Sequence, residues 1–194
     1  MKCNDCGCEI TPDTMNRRTG RTDVCNELDV PYFSCRGYTS QSEMWTAAVR
    51  LIHNLRNQQA PIILHFGDHD PSGKDMSRDI RDRLTTFIQH HLDREFGFER
   101  LALNFDQVEQ YNPPPNPTKL SDSRAEGYIA EFGGECWELD ALEPQVIADL
   151  ARAAIVAVRD EVRWFEAEDE ERAQKERLSA IADRYDDIAD SLDE

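Results

Sequence analysis

No stretch of the sequence approaches the roughly 18 apolar residues that a membrane-spanning helix needs, and its first residues lack the charged-then-apolar order of a secretory leader. Both absences lead to the expectation of a cytoplasmic protein with no membrane partner. Positive charge is scarce too. Lysine and arginine number 22 against 39 aspartates and glutamates, a formal net charge of -17. Nonspecific attachment to DNA depends on cationic side chains that neutralise phosphates and release counterions, so the chain as a whole is unsuited to it. Any contact with nucleic acid must be local or bridged by metal. The same balance suits docking on a basic surface, including one that otherwise holds nucleic acid. Internal repeats are missing, and 194 residues are too few for two large domains. One core with appendages is expected, since 39% hydrophobic and 31% charged residues fit a small folded unit with solvated helices better than a disordered chain.

Residues 1–21 are polar and poor in aliphatic side chains, so they form an appendage without a core of its own. They hold Cys3, Cys6 and Cys8. Cys3-Asn4-Asp5-Cys6-Gly7 has the spacing of a zinc-knuckle opening, with two thiolates three apart and a glycine that lets the backbone turn around the metal. A second such pair is missing, so Cys25, with Cys8 and Cys35, would have to complete a Zn²⁺ site. The alternative is a set of reduced cysteines without metal, because a single CxxC is unspecific. If zinc binds, it staples the appendage.

Residues 22–144 read as the core. Val30-Pro31-Tyr32-Phe33-Ser34 is a short extended run, and Ser42 stands as N-cap of a helix in which Trp45, Ala48, Val49, Ile52 and Leu55 recur at helical spacing. Pro61-Ile62-Ile63-Leu64-His65-Phe66 is the continuous apolar run of a central parallel strand. A helix over residues 72–92 and a strand over residues 98–103 follow, and strand, helix, strand with tight connections implies a parallel α/β sheet. Tyr111-Asn112-Pro113-Pro114-Pro115-Asn116-Pro117 must be an extended connector. A short helix over residues 122–132 and a Gly133-Gly134 turn come next. Residues 145–194 are expected to be an acidic helical region, amphipathic at first and solvated through Glu166-Ala167-Glu168-Asp169-Glu170-Glu171.

The chemistry concentrates in Gly67-Asp68-His69-Asp70-Pro71-Ser72-Gly73. Open α/β sheets bind ligands beyond the carboxyl ends of their strands, where this loop falls. In an extended segment Asp68 and Asp70 point to one side, an arrangement suited to Mg²⁺, which keeps several waters for a phosphate. Equally, Asp and Ser at this point can simply cap the helix. His69 has a slight functional leaning, whereas His65, inside the strand, leans structural. His90-His91 suits a helix end, and Trp45, Trp137 and Trp164 are expected to pack.

The heptad resembles the Asp-x-Asp-Pro-x-Gly signature of the TOPRIM domain in the type IIB topoisomerase A subunit and its meiotic relatives. Arg36-Gly37-Tyr38-Thr39-Ser40, Pro117-x-Lys119 with Asp122, and Glu138-Leu139-Asp140-Ala141-Leu142 resemble elements of TOPRIM-bearing proteins of phage and mobile DNA. The similarity spans residues 24–158. It implies a small TOPRIM-like, Rossmann-like sheet in which Asp68 and Asp70 ligate Mg²⁺ for DNA cleavage or phosphoryl transfer. Glu138 and Asp140 would add a further carboxylate, as catalytic candidates, or a structural hydrogen bond. Two family features lack a counterpart: the strand-borne glutamate, since Glu9 and Glu27 follow no β-branched run, and the winged-helix region with a nucleophilic tyrosine. Two expectations therefore stand. One is a Mg²⁺-dependent nuclease or topoisomerase-like enzyme, alone or in a larger assembly, recruiting Glu43, Glu138 or Asp140. The other is a catalytically reduced acidic protein, encoded by a phage or mobile element, that occupies a nucleic-acid-binding partner such as a host defence complex.

Overall fold

The computed structural model describes residues 21–35 and 37–185, so Cys3, Cys6, Cys8, Glu9 and Arg36 lie outside the described residues. The first helix, α1, is Arg21–Glu27. The second, α2, is Gln41–Arg56 and starts with a capping box: Glu43 N donates to Ser40 Oγ at 3.2 Å and Ser40 N donates to Glu43 Oε2 at 3.3 Å. The cap is therefore Ser40 and not Ser42, because only Ser40 has a glutamate three positions on to return the bond.

The apolar run forms β1, Ile62–Phe66, and α3, Pro71–Gln89, returns the chain to β2, Gly97–Ala102. The strands pair in parallel from Ile62 with Gly97 to Phe66 with Ala102, as a helical crossover permits. Next comes α4, Phe105–Tyr111, which takes in the first residue of the expected connector; Asn112 ends the helix in a left-handed conformation, and residues 113–115 lead into β3, Asn116–Pro117. The short helix α5, Ala125–Phe132, begins later than residue 122. Asp122 Oδ1 accepts from Arg124 N at 2.9 Å, and this local turn competes with a helical start. A two-residue β4, Glu135–Cys136, pairs antiparallel with β3, followed by a 3-10 turn, Leu139–Ala141.

The C-terminal region is two helices: α6, Pro144–Val158, and α7, Glu161–Ala182. Asp160 separates them, since its carboxylate caps α7 by accepting from Arg163 N at 3.2 Å. The chain divides into one compact unit running to Ala154 and another from Ile155.

The fold is thus α/β, a small parallel sheet flanked by helices. In the first unit, Ala48, Leu51, Ile52 and Leu55 of α2 meet Ile80, Leu84 and Ile88 of α3, with Ile63 and Phe98 of the sheet packed against them. Met44, Leu84 and Ile88 are fully buried, and each such side chain contributes about 1.5–3 kcal/mol relative to exposure. A second cluster joins Ala102, Leu103, Val108, Trp137, Leu139, Leu142 and Ile147, with Phe66 against it. This cluster ties the end of β1 to the Trp137-to-Leu142 segment, which is what brings that segment to the acidic loop. No helix among the described residues is long and apolar enough to cross a membrane.

Candidate functional site

Beyond Phe66 the parallel ladder continues by two bonds: Gly67 N donates to Ala102 O and Leu103 N donates to Gly67 O, both at 2.7 Å. The chain then leaves β2 and pairs with the Trp137 segment. His69 N donates to Trp137 O at 2.8 Å and Trp137 N donates to His69 O at 2.9 Å, an isolated antiparallel bridge. These two pairings fix the path of Asp68. Its Oδ1 accepts from Leu139 N at 2.8 Å, so the carboxylate caps the 3-10 turn. Asp70 is the N-cap of α3: Oδ1 accepts from Gly73 N at 2.5 Å and from Ser72 Oγ at 3.1 Å. Pro71 opens the helix at a position where its missing N–H costs nothing. Gly73 is there for space. A Cβ at that residue would lie 2.3 Å from the Asp68 carbonyl oxygen.

Helix capping accounts for one oxygen of each carboxylate. Asp68 Oδ2 accepts no hydrogen bond among the described residues, and Asp70 Oδ2 accepts only from Ser72 Oγ, at 3.4 Å. Both side chains are half-buried, at the carboxyl end of the paired strands. A group of three or more His, Cys, Asp or Glu side chains converging on one point is missing among the described residues. The donor set fits Mg²⁺, which is commonly held by one or two carboxylates with waters and substrate phosphate. It does not fit an all-protein cage.

His69 does not face a ligand. It is 1% exposed, and its ring is surrounded by Phe105, Tyr128, Phe132 and Trp137, with centroids 4.7 to 5.8 Å away. Tyr128 donates its hydroxyl to His69 O at 2.9 Å and lies 2.8 Å from Nδ1. Because the only hydroxyl hydrogen is committed to the carbonyl, Nδ1 carries the hydrogen and donates to the tyrosine oxygen. Burial, then the charges of Lys74 and Arg100, lower the imidazole pKa to about 4. The ring is a neutral brace beneath the loop. His65 is half-buried and lies with Nδ1 3.2 Å from Ser77 Oγ.

Other segments singled out by sequence also converge here. Tyr38 donates to Asp75 Oδ2 at 2.5 Å, Arg124 donates to the same oxygen at 2.9 Å and also contacts the tyrosine hydroxyl, and Arg124 pairs with Asp122. Hydrogen bonds from Tyr38 and Arg78 lower the Asp75 pKa to about 2. The segments around residues 38 and 122 are thereby pinned to α3, one turn beyond Asp70.

Glu138 and Asp140 are exposed, and it is the backbone of Leu139 between them that touches Asp68. Glu43 is engaged with Ser40, and Glu27 with Arg152 at 2.6 Å. Cys25 lies half-buried in α1. Trp137 is buried, Trp45 stands edge-on to Phe87, and Trp164 lies under the Arg159 guanidinium.

Arg100 escapes a reading of the sequence alone. Its Nη2 donates to the carbonyls of Gly67 at 2.9 Å, Asp68 at 2.5 Å and Leu103 at 3.3 Å, while Nη1 donates to Gly73 O at 3.2 Å and contacts Ser77 Oγ. The available signal was an arginine in strand phase with Phe98, on the face turned towards α3. Comparison with protein-family models finds no match, and neither does comparison with curated proteins or with solved structures.

Proposed function

We propose that the chain is a TOPRIM-like module that holds Mg²⁺ on Asp68 and Asp70 and serves phosphoryl transfer or cleavage on DNA as part of a larger assembly. The observation that carries this is the pair of half-buried carboxylates at the carboxyl end of two parallel strands, each fixed through one oxygen, with the second oxygen of Asp68 accepting no hydrogen bond among the described residues and that of Asp70 only a 3.4 Å one from Ser72 Oγ. Such a pair binds a hard cation without first having to be ordered. When bound, the ion supplies charge stabilisation to a phosphate.

The chain's own contribution is positional. Leu139 N holds Asp68, Gly73 N holds Asp70, and the His69 brace keeps both on the solvent side of the aromatic cluster. Glu138 and Asp140, the exposed carboxylates on either side of Leu139, are assigned together as the candidates for proton acceptor or water-mediated ligand. The assembly supplies what the net charge of -17 denies this chain, a cationic track for the duplex.

Calorimetric titration with Mg²⁺ and Mn²⁺, paired with a plasmid-nicking assay, tests the reading. The expected result is metal binding by the wild-type protein that disappears in the Asp68→Ala, Asp70→Asn double variant. Undiminished binding in that variant removes the metal site from this loop. Nicking that persists in it removes the assigned chemistry.

A further inference from the structure

We propose that Arg100 is the positioning residue of the acidic loop, an internal cation that holds residues 67–73 in their ligand-ready shape before any metal arrives. The inference rests on the Mg²⁺ reading of Asp68 and Asp70.

The loop carries a structural problem. Within seven residues it turns out of a parallel ladder, crosses to the Trp137 segment and enters a helix, so the carbonyls of Gly67, Asp68 and Gly73 face one small volume; Gly67 O also accepts from Leu103 N and Gly73 O from Ser77 Oγ, whereas Asp68 O relies on Arg100. Unpaired carbonyls in a buried setting are costly. The Arg100 guanidinium occupies that volume and donates to all three, to Leu103 O at the end of β2, and to Ser77 Oγ one turn further along α3. One planar group thereby ties the strand end, the loop and the helix start together. A Cβ on Gly67 would lie 3.1 Å from Nη1, which shows how closely the loop is wrapped on the side chain.

Arg100 is not in a salt bridge with either carboxylate among the described residues; its hydrogen bonds go to backbone and hydroxyl oxygens. Its charge still acts on Asp68 and Asp70 through space, and they on it: burial disfavours the guanidinium while both carboxylates support it. Arg100 therefore holds the loop without occupying either carboxylate. Lysine cannot substitute, since an ammonium is a point charge and cannot span carbonyls on three separate segments.

Two measurements test the proposal. The first uses only the wild-type protein. The amides of Gly67, His69 and Leu139 report the loop directly, because each donates to a partner that defines it. Their hydrogen exchange is expected to be equally slow with and without Mg²⁺; protection that appears only on adding Mg²⁺ overturns a preformed loop. The second is Mg²⁺ titration of Arg100→Lys, with Ser40→Ala, which removes the cap of α2 away from the loop, as a control. Arg100→Lys is expected to lose about tenfold or more in Mg²⁺ affinity, the usual effect of removing a supporting partner behind a metal ligand, while Ser40→Ala stays near wild type. Wild-type affinity in Arg100→Lys overturns the positioning role and leaves the metal reading standing. A wild-type protein that binds no Mg²⁺ overturns both.

Discussion

At the scale of single residues, Gly73 and His69 make opposite demands on the loop, one for empty space and one for a filled interior. A Cβ on Gly73 would meet the Asp68 carbonyl oxygen at 2.3 Å, and backbone oxygen has no rotamer by which to retreat. Gly73→Ala is expected to destabilise the fold by about 1–3 kcal/mol, as overpacking does, and to lower Mg²⁺ affinity at the same time; a urea melt and a titration on one sample check both, and an unchanged melt refutes the clash. His69 gives a pH dependence. Its folded pKa, about 4, lies below the ordinary value of 6.5, so the unfolded chain takes up a proton where the native one does not. The contribution is fully present above pH 6.5 and is lost as pH falls towards 4, amounting to up to about 3 kcal/mol. His69→Phe is expected to flatten that limb of a stability-against-pH curve. The loop itself was legible in the sequence because its capping contact is local, from Asp70 to Gly73. Arg100 and Tyr128 were not, since the loop and α3 partners of Arg100 lie 23 to 33 residues away and the partner of Tyr128 lies 59 away, and neither residue type announces such a contact.

At the scale of elements, β1, α3 and β2 followed from an apolar run and a helical period that agree with one another, and local agreement of this kind is what makes an element readable. Boundaries were less readable wherever two residues competed for one role. Ser40 displaced Ser42 because Glu43 completes its box, and Asp122 held back α5 by turning onto Arg124. These distinctions predict different outcomes for two substitutions in the helix pair. Ser40→Ala removes a cap and is expected to cost about 1 kcal/mol without altering metal affinity. Leu84→Ala opens a cavity between α2 and α3, where Leu84 is fully buried, and is expected to cost about 2–5 kcal/mol. Thermal melts rank the two, and equal effects would place Leu84 outside the shared core.

At the scale of the whole molecule, charge sets the terms of the proposed contact with nucleic acid. A net charge of -17 opposes a duplex at every distance the salt does not screen. The exposed acids of α7 at residues 166 and 168–171 place part of that charge on the second compact unit, while the proposed ligands Asp68 and Asp70 belong to the first. The two functional readings therefore separate experimentally. If the acidic loop is the point of contact, duplex DNA at physiological salt is expected to be bound measurably only with Mg²⁺ present. Asp68→Ala with Asp70→Asn then abolishes the gain, while Glu-to-Gln replacement at positions 166, 168, 170 and 171 preserves it. If instead the acidic helix occupies a basic, nucleic-acid-binding partner, affinity for that partner falls on charge reversal across residues 166–171 and ignores both aspartates. Binding of DNA in EDTA as strong as in Mg²⁺ would contradict the bridged contact, because the chain has too little positive charge to retain a duplex through side chains alone.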